Sequence, residues 1–304
     1  MAAAAVFFLN AVGGGRAATH SPTLGRVLSA LGQRAARSDA MPSTDRKLFY
    51  TRIAYRDLAV RVDARRGPWA ARYRQVVRRW VAADGSARLL FHGGSETLVG
   101  PRDRARWRAD GLPPLDESTG RIWEVDYRAG RFVGANLRAP HLTFEDLRGL
   151  PMDESALSER VDELLPPEVG ARHERVKLEA IAELIGANPT PPATRAALYR
   201  VLARLDGLRR EGTQTDPYGR RGLGFAVADD AAKTIVVVDP ASARVLGMKT
   251  LTRRRLPYAD VRPGDVISEH WFLAARFVST FRGHLVRRSC RATGNSFGCW
   301  VWSS

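Results

Sequence analysis

With 304 residues, of which 44% are hydrophobic and 26% charged, the chain is long enough to bury a core and too apolar to stay disordered. Its formal net charge of +16 points towards anionic partners, yet Lys47, Lys177, Lys233 and Lys249 are the only lysines. An arginine- and alanine-heavy, lysine-poor composition is what a GC-rich genome produces. The arginines also run through every segment, which argues against a dedicated nucleic-acid arm or docking motif; a basic surface facing anionic lipid or an acidic envelope polymer fits the same charge.

Ala2 to Leu9 is apolar, Asn10 interrupts, and Ala11-Val12 leads into Gly13-Gly14-Gly15. A helix across a bilayer takes about 20 apolar residues, and a secretory signal carries a basic stretch ahead of its apolar one. The run meets neither rule. Residues 1–20 are therefore expected to be the outer part of a membrane anchor whose true start lies upstream, or a degenerate signal sequence. A frayed apolar start on a cytoplasmic protein is the plainer alternative. No cysteine follows the run, which excludes a lipoprotein anchor. The expected placement is the cell membrane, single-pass with an extracytoplasmic domain, or else secretion.

Ser21-Pro22-Thr23 opens a helix, because Ser21 can cap it and Pro22 at the first position gives up no needed N–H. Leu24, Val27, Leu28 and Leu31 then form one apolar stripe. From Leu48 the texture turns to strands, beginning with Leu48-Phe49-Tyr50-Thr51-Arg52-Ile53. Segments 75–81 and 88–91 flank Ala83-Asp84-Gly85-Ser86, a hairpin signal. Trp123, Val125 and Tyr127 alternate with Glu124 and Asp126 as on a half-buried strand, which turns at residues 128–131 towards Phe132-Val133.

A helical middle follows. Asp153 caps a helix carrying Leu157, Val161 and Leu164; a second starts near Glu174 and stops at Gly186; a third starts at Thr190-Pro191-Pro192 and is closed by Gly207. Strands return at 208–215, 223–228, 234–238, 244–251 and, last, between Val266 and Val278. Asp216-Pro217, Asp229-Asp230 and Asp239-Pro240 mark the turns. Short spacers mean an antiparallel meander. The expected fold class is α+β, an antiparallel sheet with helices packed on one face. The expected organisation is an apolar segment (1–20), a single domain (21–281) and an atypical basic-aromatic tail (282–304).

Certain short segments resemble an uncharacterised actinobacterial family of membrane-anchored extracytoplasmic proteins, often encoded beside extracytoplasmic-function sigma factors. They are Gly25-Arg26-Val27-Leu28-Ser29-Ala30-Leu31, Phe49-Tyr50-Thr51-Arg52, the stretch from Arg79-Trp80 to Gly85-Ser86, Leu150-Pro151-Met152-Asp153, Pro191-Pro192-Ala193-Thr194-Arg195 with Leu198-Tyr199-Arg200, Leu205-Asp206-Gly207-Leu208 and Val238-Asp239-Pro240. Through that family the chain is distantly similar to the lipoprotein-carrier and periplasmic sigma-regulator fold. The resemblance implies a curved, unclosed half-barrel that cups helices and an apolar groove. It supplies no catalytic residues and no cofactor. The partners it implies are a lipid, a lipopeptide or an envelope protein, with the membrane reached through the N-terminal segment.

The enzymatic alternative sits in the tail. Ser296-Phe297-Gly298-Cys299 resembles the Ser-x-Gly-Cys nucleophile motif of L,D-transpeptidases, with His284 upstream as its base, since a nearby imidazole can generate the attacking thiolate. Trp300 stands where that motif carries an arginine. The other cysteine is Cys290. His20, His92, His141, His173, His270 and His284 lack metal-ligand spacing and are explained by surface or turn positions. Gly13-Gly14-Gly15 has no strand before it and no Lys-Ser/Thr after it, so it is no phosphate loop. Glu117, Glu124 and Asp126 fall where strand alternation puts charges in water. Trp80, Trp107, Trp123 and Trp271 are expected in the core, or lining the groove of a cupped sheet. The resulting expectation is a non-enzymatic extracytoplasmic binding or sensing domain. The alternatives are a Cys-dependent cell-wall transpeptidase and a basic nucleic-acid-binding protein.

Overall fold

The structure is a computed structural model that describes residues 22–38, 48–61, 67–113, 115, 122–127, 142–280, 289–293 and 296–301. The apolar run 1–20, His20, Glu117, Phe132-Val133, His141 and His284 lie outside the described residues. In chain order the elements are α1 (Pro22–Ala36), β1 (Leu48–Arg61), β2 (Trp69–Val81), β3 (Ala87–Leu98), α2 (Pro101–Ala109), β4 (Ile122–Tyr127), α3 (Phe144–Arg148) and α4 (Glu154–Glu163). After a 3-10 turn (Pro167–Arg172) come α5 (His173–Gly186), α6 (Pro192–Ala203), β5 (Arg209–Thr215), β6 (Arg221–Ala228), β7 (Ala232–Val238), β8 (Val245–Thr252), β9 (Val266–Val278), β10 (Ser289–Thr293) and β11 (Ser296–Val301).

Among the described residues all the strands belong to one antiparallel sheet of 11, in the order β10-β11-β4-β3-β2-β1-β9-β8-β7-β6-β5. The fold is α+β, with a curved sheet and helices on one face. The join between the two strand groups is β1 against β9, which no local pattern announces because it closes over the whole helical middle. Residues 289–301, set apart by composition as a tail, add β10 and β11 to the sheet beside β4. The strands around the join are also longer than their β-forming cores. β1 runs on through Tyr55-Arg56-Asp57 and β2 begins at Trp69, carried by ladder hydrogen bonds where side-chain propensity is weak.

Strand alternation sorts the side chains. Phe49, Thr51, Ile53, Tyr55 and Asp57 of β1 share one face with Arg79, Val77, Gln75 and Tyr73 of β2, their register partners or diagonal neighbours. Ile53 belongs to the main apolar core with residues of α1, α4, α5 and α6, so this is the helix-facing side. The opposite, convex side carries Ala54, Val237 and Trp271 in a small separate cluster. A bulge in β9 between its Arg52 and Ile53 pairings resets the alternation, so that Phe272 and Phe277 both face the helices.

The helical layer follows from the stripes in the sequence. Leu24, Leu28, Leu31 and Ala35 of α1 are buried against α6, where a Cβ on Gly32 would lie 3.2 Å from the Ala196 carbonyl oxygen. The two helices approach that closely because both present small residues at the crossing. Asp153 caps α4 by accepting from the Ala156 N–H at 3.0 Å. Gly186 ends α5 for a reason other than a left-handed cap: a Cβ there would meet the Phe272 ring at 2.5 Å. Glycine marks the closest approach of helix and sheet. Two short helices escape the sequence reading. α2 is arginine-rich with no apolar stripe, and α3 is a single capped turn held by a reciprocal Thr143–Asp146 box.

Leu198 and Leu202 of α6 are 0% and 2% exposed. Replacing either with Asp should cost about 4 kcal/mol or more, since a buried carboxylate has no partner there. The check is thermal or urea unfolding; an unchanged midpoint would mean that this stripe is not core.

Candidate functional site

The buried layer between α5 and the sheet is not uniformly apolar. Every residue from Arg175 to Ile185 is buried, and Arg175, Glu179 and Glu183 recur at intervals of four, one row along the helix. Arg175 Nη1 donates to Glu179 Oε1 at 2.8 Å, and its Nε donates to Asp229 Oδ2 at 2.7 Å. Glu179 Oε1 also accepts from the Thr234 hydroxyl of β7 at 2.6 Å, and Thr234 in turn touches Thr250 of β8 at 2.9 Å. Burial works against the Arg175 cation, but its two carboxylates raise its pKa overall. On the far flank, Lys177 donates to Ser158 and Asp162, each at 2.7 Å.

At the other end of α5, Arg79 of β2 is 5% exposed. It donates to Thr51 Oγ1 at 3.0 Å and to the Ala187 carbonyl. Ala187 is the C-cap of α5, so the guanidinium meets the negative end of the helix dipole. Burial lowers its pKa, while Tyr55 and Glu183 beside it pull the other way.

This polar seam continues along β1 and β9 into a half-buried polar cluster. Asp57 Oδ1 accepts from the Ser268 hydroxyl at 2.6 Å and lies 3.4 Å from His270 Nε2; Asp57 Oδ2 accepts from the Tyr73 hydroxyl at 3.2 Å. The Tyr55 ring stands edge-on to the His270 ring, centroids 4.6 Å apart. Burial opposes a charge on His270, but Asp57 and, behind it, Glu183 and Glu179 outweigh this and raise its pKa. Burial, with Glu183 behind it for Tyr55 and Asp57 for Tyr73, pushes both phenols far up, so they remain donors.

Ser268, His270 and Asp57 are the residue types of a hydrolytic triad without its geometry. A relay needs one ring nitrogen on the serine and the other on the carboxylate. Here the same Nε2 faces both the Ser268 hydroxyl (3.2 Å) and Asp57, and the serine's proton is already given to Asp57. The arrangement can hold a proton and present Tyr, Ser and His groups to a ligand; it does not activate a nucleophile.

The residues singled out from sequence fall elsewhere. Cys299 lies on β11 with Cys290 opposite it on β10 and Glu124 opposite it on β4; His284 lies outside the described residues. Glu124 and Asp126 both pair with Arg88, at 2.7 and 2.6 Å. Trp80 and Trp271 are buried on the convex face. Trp123 is half-buried and stacks on Phe91 at 5.1 Å on the helix-facing side, and Trp107 of α2 donates to the Pro113 carbonyl at 2.7 Å. His92 and His270 sit inside strands and not at turns. The signal for this cluster was available: Tyr55-x-Asp57 and Ser268-x-His270 put polar groups on the face that Ile53 and Phe272 mark as core. Among the described residues no cluster of His, Cys, Asp and Glu could hold a metal ion. No helix there is long and apolar enough to cross a membrane.

No family profile and no curated protein matches the chain. Among solved structures it is similar to a DUF1329 family protein from Desulfovibrio piger, at 9% identity, over 86% of this chain and 94% of that one, with a TM-score of 0.21. At that score no residue role is carried across.

His270 supplies a pH test. A histidine whose folded pKa is raised stabilises the fold fully below its unfolded value of 6.5, and that contribution fades as pH rises through the folded value. The melting-temperature gap between the natural protein and His270→Gln should therefore shrink from about pH 5.5 to about pH 9. A gap that stays constant or widens would show that Asp57 does not hold the imidazole as a cation.

Proposed function

We propose that this chain is a non-enzymatic binding domain whose helix-facing sheet surface receives an elongated apolar ligand, lipidic or lipopeptide, in an extracytoplasmic setting linked to the envelope. The observation that carries the reading is the uneven cover of that surface. α5 packs on β6, β7 and β8. Over β2, β3 and β4 the same face bears Tyr73, Gln75, Phe91 and Trp123, all half-buried, beside Val77, Val81 and Leu89, which are buried with Phe49 and Phe144. The short α3 reaches only one end, where Phe144 meets Phe277 and its N–H bonds the Ala83 carbonyl. Among the described residues the helical cover of this unclosed sheet is incomplete, and the aromatic strip left beside it, with the Asp57–His270 group as its polar end, is the gutter proposed here. Apolar walls with a few convergent polar groups are the usual form of a ligand site. The extracytoplasmic setting rests on the family resemblance and the apolar N-terminal run.

The geometry at Ser268 favours binding over hydrolysis. The transpeptidase alternative rests on the Cys299 motif alone, and thiol labelling with a cell-wall peptide substrate would separate it from this reading.

A palmitoylated peptide probe should raise the melting temperature by about 5 °C at roughly 100 times its Kd. Phe91→Glu, which places a charge in the gutter, should abolish the shift and leave the unliganded fold cooperative. If acyl probes give no shift, or Phe91→Glu responds like the natural protein, the gutter is not the site.

A further inference from the structure

We propose that the convex face of the sheet, along β1 and β2, is a docking surface for an anionic phospholipid bilayer. The register puts Arg52 directly opposite Arg78, and Arg56 directly opposite Arg74. Like charges so placed, with Cα atoms about 4.5–5.5 Å apart, oppose folding. The carboxylates on this part of the face among the described residues are already engaged: Glu269 pairs with Arg56, and Glu124 and Asp126 pair with Arg88. Among the described residues no carboxylate pairs with Arg52, Arg74 or Arg78. Arg52, Arg74 and Arg276 are exposed, while Arg78 Nε and the neighbouring His92 Nε2 are buried with no hydrogen-bond partner. The field is felt locally: burial, then Arg78 and Arg52, lower the pKa of His92.

Codon bias explains why these residues are arginine and not lysine. It does not explain why they face one another on one side of adjacent strands. An external polyanion does, because phosphate groups would turn the repulsion into charge-assisted pairing. The aromatic side chains choose between polyanions. Single-stranded nucleic acid is held by bases stacked on free aromatic faces. Here Trp80 is 5% exposed and packs on Tyr50 at 5.1 Å, and Tyr50 lies under Arg276 at 5.8 Å. With both of these rings of β1 and β2 engaged, this surface offers guanidinium groups to phosphate and no ring to a base, as suits a lipid headgroup layer. This inference does not depend on occupancy of the opposite, helix-facing side.

The test is co-sedimentation of the full chain, at about 0.1 M salt, with vesicles of phosphatidylglycerol and phosphatidylcholine against phosphatidylcholine alone. The natural protein should bind only the former. The variant Arg52→Gln/Arg74→Gln/Arg78→Gln should bind about 10- to 100-fold more weakly, with an unchanged or higher melting temperature because repulsion is relieved. The charge-matched variant Arg209→Gln/Arg210→Gln/Arg221→Gln, at exposed positions on the far edge of the sheet, should stay close to the natural protein. The single substitutions Arg52→Gln and Arg74→Gln, both at exposed sites, carry the same comparison if the triple variant is unfolded. The proposal is overturned if the natural protein ignores the anionic vesicles or if both triple variants lose binding equally. Tighter binding of single- or double-stranded DNA than of vesicles at the same salt would also overturn it, in favour of nucleic acid.

Discussion

A helix buried on every side must answer each of its charges, and α5 is such a helix. Its sheet-facing row of Arg175, Glu179 and Glu183 is matched by Asp229, by the Thr234–Thr250 pair and by the field of Arg79, while Lys177 finds Asp162 and Ser158 on the outer side. Such pairs add little net stability over a well-packed apolar seam, but removing one partner strands a charge at about 3–5 kcal/mol. Their effect is positional. An apolar helix could slide on the sheet by a turn at small cost; this one is pinned where threonines on β7 and β8 and an arginine on β2 meet it. Gly186 makes the pinning possible at the C-terminal end by letting the backbone come down onto Phe272.

Because α5 is fixed over β6 to β8, the two halves of one sheet face acquire different characters. Under the helix, Phe225, Val236, Val238 and Met248 are 0–3% exposed. Beyond it the same alternation yields Val77, Val81 and Leu89, buried with Phe49 and Phe144, and then Tyr73, Gln75, Phe91 and Trp123, half-buried and partly polar. The Asp57–Ser268–His270 group stands at the boundary, close enough to Glu179 and Glu183 for both to raise the pKa of its imidazole. A ligand entering the uncovered half would therefore meet a proton-holding group already coupled to the helix that defines the cover.

Much of this architecture was legible in the sequence, for identifiable reasons. Apolar stripes at helical spacing located α1, α4, α5 and α6, and Asp-Gly and Asp-Pro turns located the hairpins, because both signals are local. What escaped was long-range or paired across strands. The β1–β9 join unites residues more than 200 positions apart, as in the Asp57–Ser268 contact. α2 lacks an apolar face, and the Asp103 carboxylate that anchors it reaches the Ala70 and Asp260 N–H groups at 2.9 Å each, contacts that no periodicity encodes. The polar cluster is not legible in the sequence because each of its members looks ordinary alone: His270 reads as one scattered histidine until Asp57 and Ser268 are set beside it.

The two faces of the sheet obey opposite rules, and the contrast says more than the net charge. On the inner face even a wholly buried guanidinium, Arg79, has an acceptor in Thr51 and another at a helix C-terminus. On the outer face arginines stand opposite arginines, and the nearby carboxylates are taken up by Arg56 and Arg88. A composition driven by codon usage would load both faces alike, since strand alternation sends successive residues to either side. Yet along β2 the outward positions 72, 74 and 78 are arginine, with Val76 and Trp80 on the same side, while the inward positions 73, 75 and 77 are tyrosine, glutamine and valine and the inward arginine, Arg79, has its acceptors. Burial alone explains the inner pattern. The outer pattern places Arg52, Arg74 and Arg78 where, among the described residues, no carboxylate answers them, and an anion from outside the chain would relieve that repulsion.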